Sequence, residues 1–232
     1  MISWPLLKCF GNATKSNLWS SIIIFGREVV DLSEALPFDR AYFNSSIAMC
    51  DTSFLANLLA YNGNSTVQQE CQDAIYSMVV GKSIAAISVK AAEELTGLYI
   101  RSAQAEALAK KDFTQEDLKA MRDYDPALYK KMIENGTSTA AEALSALFKT
   151  KPFLDEITGT VTNSTIVLAQ ELNKKYSFPS FNDSLHLAIA VENKVDFFLT
   201  TDKDFCNVNE PNLQVLVDNT TYGKYIKRLG RA

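Results

Sequence analysis

Residues 181–205, FNDSLHLAIAVENKVDFFLTTDKDF, decide the fold of this chain. Apolar side chains recur at helical spacing over residues 185–191, which predicts a helix that opens at the carboxylate of Asp183. An apolar run over residues 195–200 predicts a strand that is buried on both faces, as in a parallel sheet. Asp202 lies just beyond the end of that strand, where open α/β sheets bind their ligands.

Two further predicted strands lead toward acidic residues. The small and apolar residues 46–50 run directly into Asp51, and a helical pattern starts behind it. Residues 84–87 are strand-like, and Ser88 is placed to cap a helix that carries Glu94 about one and a half turns in. Because the carboxyl ends of parallel strands meet at one edge of a sheet, we expect these carboxylates to converge there.

The region of residues 101–150 is polar and helical, without a strand pattern. A helix is predicted to begin at Asp125 and Pro126, to end at Gly136, and to be followed by another that starts at Ser138. This pattern predicts a helical segment added to the α/β core.

The N-terminal region is the least regular. An amphipathic helix over residues 15–30 is favoured, although residues 22–25 would equally suit a strand. A last short strand is predicted at the other end of the chain, over residues 213–217.

The composition is that of an ordinary globular protein, with 232 residues of which 47% are hydrophobic and 22% are charged. A net charge of -4 argues against bulk electrostatic coating of nucleic acid, but it is compatible with an active site made of acids. The four cysteines stand singly and the chain has one histidine, so no zinc site is expected. The pattern contains no membrane span or signal peptide, and we expect a cytoplasmic protein without membrane association.

Each acid has an ordinary structural explanation when it is taken alone. Asp51 and Asp183 could belong to helix caps, and Glu94 could lie on a solvated helix face. Together they are harder to explain, because two carboxylates about 4 Å apart repel by roughly 4 kcal/mol at an effective dielectric constant of about 20. Such a cluster requires a cation or raised pKa values. Oxygen ligands without histidine or cysteine select Mg²⁺ or Mn²⁺, which can activate water and bind a phosphodiester oxygen.

Four segments together resemble the PIN-domain nucleases, especially toxin ribonucleases of the VapC type. These segments are DTSFL at residues 51–55, Ser88 followed by Glu94 and Leu95, DSLHLA at residues 183–188, and FLTTDKDF at residues 198–205. Their order and position along the chain match the pattern of that family.

The resemblance implies a three-layer α/β/α fold with a central parallel sheet, together with a helical insertion and an N-terminal extension. The PIN-like nuclease domain would span residues 46–217, with the insertion at about residues 101–150. Residues 1–45 would form the extension packed on the core, and residues 218–232 a basic C-terminal tail.

The resemblance also implies a metal-dependent endoribonuclease that hydrolyses RNA phosphodiester bonds with Mg²⁺ or Mn²⁺. The catalytic, metal-binding quartet would be Asp51, Glu94, Asp183 and Asp202, with Asp204 as a further metal ligand and with Ser53, Thr200 and Thr201 in supporting roles. The expected partners are the RNA substrate, a second copy of the chain in a homodimer and, if the protein is the toxin of a toxin–antitoxin pair, an antitoxin protein.

The sequence leaves alternatives open. Glu93 competes with Glu94, because one residue turns a side chain by about 100° around a helix. A catalytically inactive PIN-like scaffold, acting as a protein or RNA interaction module, would carry much of the same pattern. A phosphatase of the haloacid dehalogenase kind is disfavoured, since it needs a second aspartate where Ser53 stands. His186 is expected to pack or to form a hydrogen bond rather than to bind metal.

Overall fold

The computed structural model describes residues 23–25, 28–30, 35–109, 114–150, 152–154 and 160–230. The strands in this part of the chain are β1 (Ile23–Phe25), β2 (Glu28–Val30), β3 (Leu36–Pro37), β4 (Ile47–Cys50), β5 (Ile84–Ile87), β6 (Phe197–Leu199) and β7 (Gln214–Val217). The α-helices are α1 (Thr52–Leu58), α2 (Ser65–Val80), α3 (Val89–Ala109), α4 (Gln115–Tyr124), α5 (Pro126–Phe148), α6 (Asn163–Tyr176), α7 (Phe181–Glu192) and α8 (Asn219–Arg228).

Five strands form one parallel sheet in the order β3-β7-β6-β4-β5. Ala48 of β4 pairs with Ala85 of β5 on one side and with Phe197 of β6 on the other, so β4 lies inside the sheet. The carboxyl ends of all five strands therefore meet at one edge. The short edge strand β3 was not predicted, and it ends at Pro37, a residue that sheets tolerate at their edges.

Helices cover both faces of the sheet because alternate residues of each strand point to opposite sides. Met49 and Phe198 face one side, where they belong to the same buried cluster as residues of α6 and α7. Cys50 and Leu199 face the other side and share a cluster with residues of α1 and α2. The predicted α/β fold, with a parallel sheet between two helical layers, is confirmed, and it is consistent with a PIN-like fold.

The helical elaboration differs from its prediction at Gly136. Helix α5 runs unbroken from Pro126 to Phe148, so the predicted helix end at Gly136 and the restart at Ser138 are wrong. A Cβ atom on Gly136 would lie 2.5 Å from the Cα atom of Ile100 in α3. The glycine therefore allows two long helices to approach closely and does not end one of them.

The N-terminal region contains an antiparallel hairpin in which Ile23 pairs with Val30. The helix that the sequence favoured over residues 15–30 is therefore wrong for β1 and β2, whose β-branched residues are typical of strands. The alternative strand over residues 22–25 agrees with β1. Residues 1–22 lie outside the described part of the chain, and the predictions made for them stay predictions.

Residues 219–228, which fall in the predicted basic tail, form helix α8. Asp218 begins this helix by accepting a hydrogen bond of 2.9 Å from the backbone N–H of Thr221. Tyr225 is buried in the cluster that also contains α6 and α7. Within the described residues, no helix combines the length and the apolar character needed to cross a bilayer. The division into an extension, a nuclease domain and a tail stays a prediction.

The close approach of α3 and α5 predicts that Gly136→Ala lowers the free energy of unfolding by about 1–3 kcal/mol, since the added methyl group meets the backbone of Ile100. Gly223→Ala in α8 is the matched control, because no atom lies within 4 Å of its added Cβ. The control should be neutral or stabilising by up to about 1 kcal/mol. Urea denaturation measures both, and equal stability of the two variants would contradict this role of Gly136.

Candidate active site

Asp51 follows strand β4 and caps helix α1. Its Oδ2 atom accepts hydrogen bonds from the hydroxyl groups of Ser53 (2.7 Å) and Thr200 (2.9 Å) and from the backbone N–H of Ser53 (3.3 Å). The residue is only 5% exposed. These contacts fix the carboxylate through one oxygen. The other oxygen, Oδ1, lies 3.9 Å from Nε2 of His186.

The hydroxyl residues that were predicted to support the site connect α1 to the end of β6. Ser53 Oγ accepts a hydrogen bond of 3.0 Å from the backbone N–H of Thr201 and lies 3.0 Å from Oγ1 of Thr200. Asn57, one turn further along α1, donates to Oγ1 of Thr201 at 3.0 Å. Oγ1 of Thr200 accepts from the backbone N–H of Asp202, also at 3.0 Å. This network fixes the start of α1 relative to the backbone of Asp202.

Glu94 lies near the start of α3, and both of its carboxylate oxygens have partners. Oε2 accepts a hydrogen bond from the hydroxyl of Thr52 (2.8 Å) and lies 2.9 Å from Nε2 of His186. Oε1 lies 3.7 Å from Nζ of Lys90, one turn earlier in the helix. Burial alone would raise the pKa of Glu94, but the hydrogen bond with His186 and the other partners hold this pKa below its usual value.

Glu93, the alternative to Glu94, points to solvent. Its side chain is 70% exposed and pairs with Lys90 at 3.2 Å. The geometry therefore favours Glu94 as the member of the site, while a role for Glu94 in binding metal stays a prediction.

His186 is buried between two of the predicted acids. Burial opposes a charge on the imidazole, but the hydrogen bond with Glu94 and the negative charges of Asp51, Glu94 and Asp183 raise the pKa of His186 above its usual value. The expectation that this residue forms a hydrogen bond is confirmed. Its position between Glu94 and Asp51 was not predicted.

Asp183 lies in the first turn of α7, and its environment differs from that of Glu94. The alternative explanation of Asp183 as part of a helix cap does not hold, because Ser180 caps this helix by accepting a hydrogen bond from the backbone N–H of Asn182. Within the described residues, the carboxylate of Asp183 forms no hydrogen bond and no salt bridge. Burial and the charges of Asp202 and Asp51 raise the pKa of Asp183 to about 6.

Asp202 caps a short 3-10 helix, Lys203–Phe205. Its Oδ1 accepts a hydrogen bond of 2.9 Å from the backbone N–H of Asp204. Burial and the charges of Asp204 and Asp51 raise the pKa of Asp202 above its usual value.

The charges of Asp202 and Asp51 act on Asp183, and the charge of Asp51 acts on Asp202, so these three aspartates lie near one another at the carboxyl edge of the sheet. Among the residues that the structure describes, however, no three Asp, Glu, His or Cys side chains are grouped so that they could hold one ion. Mg²⁺ commonly binds proteins through one or two carboxylates and keeps several waters. The oxygen donors of Asp51, Asp183 and Asp202, two of them with raised pKa values, fit such an ion in chemical type.

Sequence reasoning missed the residues that position the acids. Thr52, Asn57 and Lys90 contact the predicted site residues, but hydroxyl, amide and amine side chains of this kind are common on helices. The spacing of Lys90 four residues before Glu94 is the one signal that could have predicted its contact.

No family model matches the chain, and no curated protein does. A solved structure of VapBC2 from Rickettsia felis, bound to a DNA fragment from its promoter, is similar to this chain with a TM-score of 0.39 and 13% sequence identity. The similarity covers 73% of this chain and 96% of the other.

The raised pKa of Asp183 predicts a change of stability with pH. Its pKa in the folded protein, about 6, exceeds the value of about 3.9 expected in the unfolded chain, so ionisation of Asp183 opposes folding. The penalty is absent at low pH and develops fully above pH 6 or so. With EDTA present, Asp183→Asn should raise the free energy of unfolding at pH 7.5 by about 1 kcal/mol after allowance for solvent screening, and by little at pH 4.

Asp73→Asn is the control, because Asp73 is an exposed aspartate of α2. Its effect should stay within about 0.5 kcal/mol at both pH values. Urea denaturation at the two pH values provides the measurement. A loss of stability on Asp183→Asn at pH 7.5 would show that the carboxylate is not repelled by its neighbours.

Proposed function

We propose that this chain is a metal-dependent endoribonuclease that hydrolyses RNA phosphodiester bonds. Its catalytic residues would be Asp51, Glu94, Asp183 and Asp202, with Asp204 as a further ligand of Mg²⁺ or Mn²⁺. One observation carries the proposal. Asp51, Asp183 and Asp202 come from three separate segments to one edge of the sheet, and at Asp183 burial and the charges of Asp202 and Asp51 outweigh the attraction of His186. A divalent ion is the simplest partner for carboxylates in such an arrangement.

When bound, Mg²⁺ or Mn²⁺ supplies a Lewis acid for a phosphodiester oxygen and lowers the pKa of a water molecule. The protein's own contribution is to hold oxygen ligands in place. Asp51 is oriented by the hydroxyl groups of Ser53 and Thr200, so one of its oxygens is fixed before any ligand binds. Asp183 and Asp202 present carboxylate oxygens that the described part of the chain does not neutralise with a salt bridge.

Hydrogen bonds hold the loop after β6 against the start of α1. Thr201 accepts from Asn57 through its hydroxyl and donates to Ser53 through its backbone N–H. The backbone of Asp202 is held in turn by Thr200. These contacts support positioning roles for Ser53, Thr200 and Thr201, since they determine where Asp202 lies relative to α1.

The finer aspects of the proposal rest on the sequence resemblance to VapC-type toxins. RNA as the substrate, a toxin role with an antitoxin partner, and a homodimeric assembly all belong to this part. They are independent of the electrostatic argument, which supports only a site for a divalent ion at the carboxyl edge of the sheet.

Cleavage of a fluorescent RNA should require Mg²⁺ or Mn²⁺ and stop with EDTA. Asp183→Asn should lower the cleavage rate by at least about a hundredfold, since it removes a proposed ligand. Glu93→Gln is the control, because this exposed carboxylate lies outside the site, and it should cleave at the rate of the unaltered protein. If the Asp183→Asn protein cleaved RNA at the rate of the unaltered protein, the proposed mechanism would be rejected.

The alternative of an inactive PIN-like scaffold is favoured by one observation, the lack of three grouped metal ligands among the described residues. Binding of Mn²⁺ separates the two proposals. In the nuclease, Mn²⁺ at about a hundred times its Kd should add about 2.7 kcal/mol to the free energy of unfolding and raise the Tm.

The Asp183→Asn protein should gain much less from Mn²⁺, while Glu93→Gln should respond as the unaltered protein does. Calorimetric melting curves with EDTA or with Mn²⁺ measure this difference. An unchanged Tm in saturating Mn²⁺ would favour the scaffold.

A further inference from the structure

Helix α8 contacts the loop that carries Asp202. The hydroxyl of Thr221, in the first turn of α8, donates a hydrogen bond of 3.2 Å to the backbone carbonyl of Thr201. Thr201 directly precedes Asp202 in the chain. This contact therefore connects the proposed site to residues 218–232, a segment that the sequence predicted to lie outside the nuclease domain.

The start of α8 is itself held in place by neighbouring carboxylates. Oδ1 of Asp218 accepts a hydrogen bond of 2.9 Å from the backbone N–H of Thr221. Oε2 of Glu70, in α2, accepts one of 2.7 Å from the backbone N–H of Asn219. Both bonds satisfy N–H groups of the first turn, which have no partner within the helix itself. Further along α8, the buried Tyr225 packs with residues of α6 and α7. The hydroxyl of Thr221 is thus presented from a helix that is anchored to the core.

The hydrogen bond from Thr221 acts on a peptide unit that also has a partner on its other side. The carbonyl of Thr201 and the N–H of Asp202 belong to the same planar peptide unit. This N–H donates to Oγ1 of Thr200 at 3.0 Å, while the carbonyl accepts from Thr221. The preceding peptide unit donates to Oγ of Ser53 through the N–H of Thr201, also at 3.0 Å. Because each residue has only two soft backbone dihedral angles, these three bonds restrict the backbone at Asp202.

We infer that Thr221 is a positioning residue of the proposed site, whose hydroxyl fixes the peptide unit before Asp202 and thereby the direction in which the Asp202 side chain leaves the backbone. This inference rests on the proposed function, in which Asp202 is a catalytic residue. It extends the site to α8, so that the loop after β6 is held by both α1 and α8. A misplacement of about 1 Å can cost an enzyme about a hundredfold in rate, so one hydrogen bond to this loop can control the reaction.

Thr221→Val tests the inference, because valine keeps the branched shape of threonine and removes the hydroxyl. With the fluorescent RNA and saturating Mn²⁺, the kcat of the full-length variant should fall by about five- to tenfold, whereas KM should stay within about twofold. Thr221→Ser keeps the hydroxyl and should restore most of kcat. Thr220→Val is the matched control, since it makes the same change at an exposed position of the same helix, and it should cleave as the unaltered protein does.

Amide hydrogen exchange, measured by NMR in EDTA, gives a second readout that does not depend on activity. In Thr221→Val, the backbone N–H groups of Thr201 and Asp202 should exchange at least about threefold faster than in the unaltered protein, because the loop opens more often. The N–H of Asp196, which donates to the carbonyl of Ile47 at 2.8 Å just before β6, should exchange at an unchanged rate. If valine is not tolerated in α8, Thr221→Ala removes the same hydroxyl with a smaller side chain and repeats both measurements.

Three results would overturn the inference and leave the proposed function standing. The first is an equal kcat in Thr221→Val and Thr220→Val when the unaltered protein is active. The second is a loss of kcat that Thr221→Ser does not restore. The third is hydrogen exchange that rises equally at Asp196 and Asp202, since that would indicate a general loss of stability. If the unaltered protein cleaves no RNA at all, the proposed function fails, and the inference fails with it.

Discussion

Repulsion between carboxylates at the carboxyl edge of a parallel sheet is the constraint on which the site depends. The fold creates this constraint, because β4 and β6 are neighbours, Asp51 directly follows β4, and Asp202 comes three residues after the end of β6. A third aspartate, Asp183, lies in the first turn of α7. The protein answers it locally at Asp51, where hydroxyl and backbone donors satisfy one oxygen. It does not answer it at Asp183, whose pKa is raised to about 6. Ionisation of Asp183 therefore opposes folding, and the proposed cation would relieve this penalty.

Asp183 and Glu94 differ in whether their carboxylates have partners within the protein. Lys90 of α3 and His186 of α7 both lie against Glu94. Asp183, also on α7, has no hydrogen bond or salt bridge with a described residue, and burial together with the charges of Asp202 and Asp51 raises its pKa. Under the proposed function, a cation would therefore act on the aspartates more than on Glu94, whose oxygens already have partners.

The sequence predicted the sheet and the strand-end acids because both leave local signals. Apolar runs that lead to Asp51 or Asp202 can be recognised in the sequence without any knowledge of the tertiary structure. Gly136 misled the prediction, since a glycine that permits close helix packing looks the same in sequence as one that ends a helix. The contact of His186 with Glu94 was equally hidden, because it joins residues 92 positions apart. Long-range partners of this kind are decided by packing, which spacing alone does not encode.

Diffraction from crystals soaked in Mn²⁺, recorded where manganese scatters anomalously, would show directly whether an ion binds among these carboxylates. We expect an anomalous peak within coordination distance of carboxylate oxygens of Asp51, Asp183 or Asp202. If no peak lies at this edge of the sheet, repulsion between these carboxylates does not create a metal site.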